Sequence, residues 1–233
     1  AAFDMPADSV IFTSGGTEAD ALALSGYLSR FKEGSVLVAD IEHPAILKNL
    51  EVLCETQGLS LVRVPVSKTG VVHPQEVEKL LRDDTVLLSV MMASNETGVI
   101  QPIAELSHLC RSRDVVMHTD GVQAVGRMPV SMPELGVHMM TISGHKFGAL
   151  SGTGALIVEP GLSLQPFLTG GGQENGMRGG TENVAGAACM AAALEDLPSQ
   201  ATLKSWLEVR ARFEEAILQQ CPDVHVLGIA EKR

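Results

Sequence analysis

The chain has 233 residues, 45% of them hydrophobic but only 3% aromatic, so its core must be aliphatic. A net charge of -11, with no basic run and no aromatic–basic interleaving, speaks against nucleic acid or an anionic membrane surface as partner. No apolar run approaches a membrane span and no charged-then-apolar signal pattern opens the chain, so the expectation is a soluble, cytoplasmic protein.

Short β-rich runs alternate with amphipathic stretches almost from end to end. Strands are expected at residues 9–13, 36–39, 60–65, 85–92, 115–118, 139–142 and 154–158. Helices are expected at 18–31, 44–55, 74–81, 103–113, 183–197 and 203–219. Runs such as "TVLLSVMM" are apolar on both faces, as a parallel strand covered by helices on each side requires. The alternation predicts an α/β fold, a doubly wound and mostly parallel seven-stranded sheet, with ligands beyond the carboxyl ends of the strands. The apolar run in "CPDVHVLGIAEKR" reads as the start of a further strand, and both ends of the chain look cut.

Polar signatures gather at the expected strand ends. "FTSGGTEADALAL" is a strand, a glycine turn and a helix start. Thr17 could cap that helix while the amides of Gly16 and Thr17 face an anion; alone, the turn reads equally as an ordinary capped turn. His43 precedes Pro44 and suits a helix start better than catalysis. Asn95 lies in "SNETG". Asp120 and Gln123 end "VVMHTDGVQ", where a carboxylate could cap a helix, bind a metal or face a cationic ring nitrogen. In "TISGHKFGAL", Lys146 follows Ser143, Gly144 and His145; by itself it reads as a solvated turn lysine. The glycine-rich "GGGQENGMRGGTENV" holds Arg178, and its Thr181 or Asn183 could cap the next helix.

The combination is more specific than any part. A lysine able to form a Schiff base, an aspartate facing a pyridinium nitrogen and a glycine–threonine phosphate cradle together describe a pyridoxal phosphate site. A metal site built from Glu42, His118, Asp120 and His145 would leave Lys146 and the "SGGTE" turn unexplained. Cys54, Cys110, Cys189 and Cys221 are far apart without any C-x-x-C, and read as ordinary thiols in or at the ends of helices.

In order and spacing, "SGGTEADALAL", "EHPAIL", "SNETGVIQPI", "HTDGVQAVG", "SGHKFGALSGTGAL" and "GGGQENGMRGGTENV" resemble the cysteine desulfurases related to NifS and IscS. These are class V, fold-type I pyridoxal phosphate enzymes. The resemblance implies that Lys146 holds the cofactor covalently and, once freed, removes the substrate Cα proton. It implies that Asp120 pairs with the pyridine nitrogen, that Gln123 and Asn95 lie near the phenolic oxygen, and that His43 stacks on the ring and assists proton transfer. Gly16, Thr17, Ser143, Gly144 and His145 would hold the phosphate, and Thr181 would reach the site of a partner subunit in a homodimer.

The implied reaction converts L-cysteine to L-alanine, with the sulfur passing to an enzyme cysteine and then to a sulfur-acceptor or scaffold protein. The family's sulfur-accepting cysteine and substrate-carboxylate arginine have no matching position here. The expectation is therefore a cofactor-binding large domain at residues 1–197, with residues 198–233 opening an incomplete small domain, and a chain that is inactive or incomplete by itself. Selenocysteine lyase, another class V lyase and a non-catalytic binding module are the rival readings. Leu150 and Ser151 stand where the family commonly has Pro and a basic residue, which predicts a looser turn after Lys146.

Overall fold

The computed structural model describes residues 2–233, in which all seven expected strands form one sheet. In chain order the elements begin with β1 (Val10–Thr13), α1 (Gly16–Leu28), β2 (Ser35–Ala39), α2 (Pro44–Gln57), β3 (Ser60–Val64) and α3 (Pro74–Leu80). They continue with β4 (Thr85–Ser89), α4 (Ile103–Arg111), β5 (Val116–Asp120), α5 (Met132–Leu135), β6 (Met139–Ser143) and β7 (Gly154–Val158). The chain then runs through α6 (Val184–Glu195) and α7 (Gln200–Gln220). The short α5 has no counterpart in the sequence expectation.

The strand order is β1-β7-β6-β5-β4-β2-β3. β2 pairs in parallel with β3 and β4, β4 with β5 and β5 with β6, while β7 pairs antiparallel with both β6 and β1. Six strands therefore point one way and only β7 runs against them. The six deliver their carboxyl ends to a single edge of the sheet.

Two hydrophobic clusters explain why the strands are apolar on both faces. Leu37, Ala39, Leu88, Met117, Met140 and Ile157 pack on one side with Val77 of α3 and Ile103, Leu106 and Cys110 of α4. Their immediate neighbours Val36, Val38, Leu87, Val116, Met139 and Leu156 pack on the other side with α1 and α2. Alternation along each strand thus feeds both cores. Helix α2 presents one stripe, with Ile46, Leu50 and Cys54 at four-residue intervals. Helix α1 is buried nearly all round, from Ala19 to Leu24 without a break, and its alanines allow close approach to the sheet.

Some boundaries moved for physical reasons. β4 ends at Ser89, short of Met92, although its hydrogen-bond ladder continues from Val90 N to His118 O (3.2 Å) and from Met92 N to Asp120 O (2.8 Å). The run after Cys221 forms turns and no strand. There Ile100 N donates to Lys232 O at 2.9 Å, and Arg233 forms an ion pair with Glu214 of α7 at 2.6 Å. Val224, Leu227 and Ile229 stay exposed, so the apolar run does not enter a core. Among the described residues, no helix is long and apolar enough to cross a membrane.

Candidate active site

The carboxyl edge of the sheet opens into a cavity of about 230 Å³. β1 leads to Gly16 and Thr17, β2 to His43, β4 to Met91, Ala93 and Asn95, β5 to Asp120, Val122 and Gln123, and β6 to Ser143, His145 and Lys146; all line this one space. Asp20 of α1 completes the lining. Of the residues that the resemblance assigns to the cofactor, all but Gly144 and Thr181 line it. Gly144 is buried behind Lys146, where a Cβ would collide with the Thr153 hydroxyl. Thr181 is exposed on the glycine-rich loop, away from the cavity of its own chain.

The helix start at Gly16 differs from expectation in one respect. Gly15, not Thr17, occupies the N-cap, and no side chain caps α1. Gly15 has φ 155° and ψ -179°, a conformation open essentially to glycine alone. The helix therefore begins before Thr17, and Gly16 and Thr17 of its first turn, where N–H groups have no partner within the helix, line the cavity. A Cβ on Gly16 would meet Val122 Cγ2 at 3.1 Å and Ser143 Cβ at 3.4 Å, so the backbone runs close to two other lining residues. Ser143 Oγ lies 3.1 Å from His145 Nδ1. An uncapped helix N-terminus beside a serine hydroxyl is suited to an anion such as a phosphate.

Glu18 sits one residue beyond Thr17. Its carboxylate accepts from Ser14 N at 2.9 Å and from Arg178 Nε and Nη2 at 2.8 and 3.3 Å. Burial works upward on this acid, but the bonds from Arg178 and Ser14 prevail and hold its pKa below the ordinary value. The ion pair ties the glycine-rich loop to the start of α1. The following helix α6 is capped by Asn183, whose Oδ1 accepts from Gly186 N at 3.0 Å.

His43 is the helix-start residue its position before Pro44 predicts. Its Nδ1 accepts from Ala45 N at 3.1 Å, which leaves Nε2 as the free ring nitrogen. Asp120 caps no helix; its Oδ1 accepts from Val122 N at 2.8 Å in the turn after β5. Burial raises the Asp120 pKa, while the Val122 N–H, His43 and Lys146 pull it back. Lys146 lies at the end of a single 3-10 turn, Gly144–Lys146, between β6 and β7. The turn that was expected to be loose is fastened at several points. Gly144 N donates to Thr153 O at 2.9 Å, Ala149 N to Gly144 O at 3.0 Å, and Thr153 Oγ1 to Leu150 O at 2.6 Å.

Behind Asp120 lies a feature the sequence did not disclose. Asp20 and Glu42 are both buried, and an oxygen of each, Asp20 Oδ1 and Glu42 Oε2, has no hydrogen-bond partner. Glu42 Oε1 accepts from Met91 N. Burial raises the Asp20 pKa well above the usual carboxylate value, and Asp120 and Glu42 add to it against the Thr141 hydroxyl. Burial and then Asp120 raise Glu42 likewise.

His118, fully buried in β5, bonds at Nδ1 to Ser89 Oγ (3.0 Å) and at Nε2 to Thr141 Oγ1 (3.1 Å). Its Nε2 is also 3.8 Å from Asp20 Oδ1. That distance would fit an ion pair, but burial pushes the His118 pKa down to about 3 and Asp20 upward, so burial works against charge on either partner. With both ring nitrogens engaged inside the sheet, His118 is not poised to join His145 in a metal site. Among the described residues, no group of three or more His, Cys, Asp or Glu is placed to hold a metal ion.

The cysteines stand apart from this chemistry. Cys54 and Cys110 are buried in α2 and α4, which pushes their thiols up to about 11 and about 12; Cys189 is half-buried and Cys221 exposed. None of the four lines the cavity.

Residues 2–233 match the family described as "Aminotransferase class-V". The chain is 40% identical over 230 residues to "Cysteine desulfurase IscS" of Dictyoglomus turgidum, covering 97% of this chain and 58% of that protein. A solved "NIFS-LIKE PROTEIN" superposes with TM-score 0.85 at 31% identity, over 93% of this chain and 60% of its own. "SspA in complex with cysteine" superposes with TM-score 0.82 at 30% identity, over 91% and 60%. The chain thus spans a little over half the length of the curated relatives it matches.

Proposed function

The chain belongs to the class V aminotransferase family, and from that premise we propose that it forms the pyridoxal phosphate-binding part of a cysteine desulfurase, with residues 1–197 as the cofactor domain. One observation carries the reading: Lys146, Asp120, His43, Asn95, Gln123, Ser143, His145 and the uncapped start of α1 line one cavity. They come from the ends of five strands, β1, β2, β4, β5 and β6, so no local turn chemistry accounts for their meeting. L-cysteine is the proposed substrate, in line with the relatives' names and the cysteine complex of the SspA neighbour.

The residues fit the cofactor group by group. The first-turn N–H groups at Gly16 and Thr17 and the Ser143 hydroxyl would hold its phosphate. The Asp120 carboxylate would hold the proton on its ring nitrogen, and Asn95 and Gln123 would lie toward the phenolic oxygen. Lys146 would anchor it covalently through Nζ. When bound, the cofactor supplies an electron sink for negative charge developing at the substrate Cα.

The remaining chemistry belongs to this chain's side chains. Lys146 Nζ takes the Cα proton and returns a proton when alanine is formed. His43, with Nδ1 committed to the Ala45 N–H, has only Nε2 to carry a proton. The buried floor keeps water away from Asp120 and so strengthens its field at the ring nitrogen. The raised thiol pKa values of Cys54 and Cys110 make both poor nucleophiles, so neither is the proposed sulfur acceptor. The four cysteines are all free, which suits a reducing, cytoplasmic compartment. A homodimer in which Thr181 approaches the neighbouring cavity, and a separate sulfur-acceptor protein, complete the proposal.

The test is direct. Pyridoxal phosphate is added, the visible absorption recorded, the complex reduced with borohydride, and the labelled peptide located by mass. Label on Lys146 is expected. Label elsewhere, or none, would sink the reading.

A further inference from the structure

Three carboxyl groups converge below the cavity: Asp20 from α1, Glu42 from the turn after β2 and Asp120 from the end of β5. They are exposed by only 2%, 5% and 7%. The other titratable groups facing them are His43 beside Glu42, His118 against Asp20, and Lys146 across the cavity from β6. His118 is engaged at both nitrogens by hydroxyls. His43 and Lys146 act on Asp120, and neither is among the groups acting on Asp20 or Glu42.

Three adjacent buried carboxylates cannot all stay ionised when the basic side chains at the rim, His43 and Lys146, act on one of them alone. The orphaned oxygens Asp20 Oδ1 and Glu42 Oε2 have neither a donor nor a cation, which is what an ionised oxygen would require. Asp120 has both: the Val122 N–H at 2.8 Å, and the basic side chains of His43 and Lys146 at the rim, which act on it.

We propose that these three carboxyl groups carry a single negative charge, placed on Asp120, and that Asp20 and Glu42 stand behind it as neutral acids. They are positioning residues: they fix the charge of the floor at one, matching a ligand group that bears one positive charge. The match to a pyridinium nitrogen rests on the function proposed above; the protonation of Asp20 and Glu42 does not. Cationic ring binding at Asp120 then neither releases nor takes up protons at the two acids behind it.

Infrared difference spectroscopy on the full chain tests this without any cofactor. At pH 7, where exposed carboxyls are ionised, the wild-type protein is expected to retain carbonyl absorption of neutral carboxylic acid. Asp20→Asn and Glu42→Gln should each remove part of it, and Asp120→Asn should leave it in place. Wild-type protein without a neutral-acid band at pH 7 would overturn the proposal, whether or not the variants fold. So would loss of carboxylate rather than acid absorption in either variant.

Pyridoxal phosphate titration supplies the second arm. Asp20→Asn and Glu42→Gln should bind it within about threefold of wild type, while Asp120→Asn should bind at least about tenfold more weakly, the loss expected when a charge-assisted hydrogen bond is removed. Equal losses in all three variants would also overturn the assignment. If wild-type protein fails to bind pyridoxal phosphate, the functional proposal falls, and the infrared result still decides the charge assignment.

Discussion

The floor and the rim of the cavity are built in opposite ways. The floor is a set of side chains on or just behind regular elements, Asp20, Glu42 and Asp120, almost closed to solvent. The rim is a set of turn and helix-start residues, Thr17, His43, Asn95 and His145, all exposed, with Lys146 half-buried among them. The floor is acidic and sealed; the rim is largely basic and polar, and open. Burial sets the protonation of the floor, whereas hydrogen bonds and position set what the rim can do. A rim substitution should therefore change chemistry with little effect on folding, whereas substitutions of Asp20 and Glu42 in the floor should register in stability and its pH dependence.

The largest expected effect is at the rim. Lys146→Ala should abolish the borohydride-fixed label, with the melting temperature nearly unchanged. His43→Gln keeps a hydrogen-bond acceptor for Ala45 N but removes the proton carrier. On the function proposed above, it should slow exchange of the Cα proton of added L-cysteine in the presence of pyridoxal phosphate by about 10²-fold or more, while circular dichroism reports an intact α2. A large loss of helix signal would break the contrast, because it would make His43 mainly a cap.

Floor substitutions should register in stability against pH. Unfolded Asp and Glu lose their protons near the ordinary values of 3.8 and 4.5, whereas folded Asp20 and Glu42 keep theirs to higher pH. The folded state holds more protons in that interval, so this part of its stability is full at acid pH and is lost as pH rises. Asp20→Asn or Glu42→Gln should each flatten the decline by about 1.4 kcal/mol per pH unit, read from urea unfolding at several pH values. His118 works the other way. Folded, it stays neutral down to about 3, so its contribution is present above pH 6.5 and is lost as pH falls.

The smallest effect should come from the tie between the two loops. Glu18 and Arg178 are partly exposed, at 16% and 23%, and Arg178→Ala should cost only about 0–1 kcal/mol in thermal unfolding. A larger loss would show that the glycine-rich loop belongs to the rigid frame of the site.

The rim was far more legible in the sequence than the floor. Turns advertise themselves: "SGGTE", "EHPA", "SNETG" and "SGHK" each interrupt an apolar run with glycine or polar residues at a strand end. Asp20 gives no such signal. It lies in "EADALAL", where an acid near a helix start reads as an ordinary dipole-complementing residue. Only tertiary packing reveals that α1 is buried on every side and that Asp20 points into the site.

Thr17 was misread as a cap because the backbone freedom of Gly15 moved the helix start upstream. The apolar run after Cys221, read as the start of a strand, forms turns because an apolar run alone does not supply a pairing neighbour. The inner strands were legible because each is apolar on both faces and fills two cores at once, while the edge strands β1 and β3 are partly exposed.

β1 has a single neighbour in the sheet, β7, which lies more than 140 residues further along the chain. The start of Gly154 packs against the backbone of Gly15, with a notional Cβ only 2.6 Å from Gly15 Cα, so the two segments lock where the anion-facing helix begins. During synthesis the first strand and its glycine turn emerge early and must wait, unpaired, until Val158 has left the ribosome. A pause in translation before β7 is therefore expected to leave a strand edge open to aggregation.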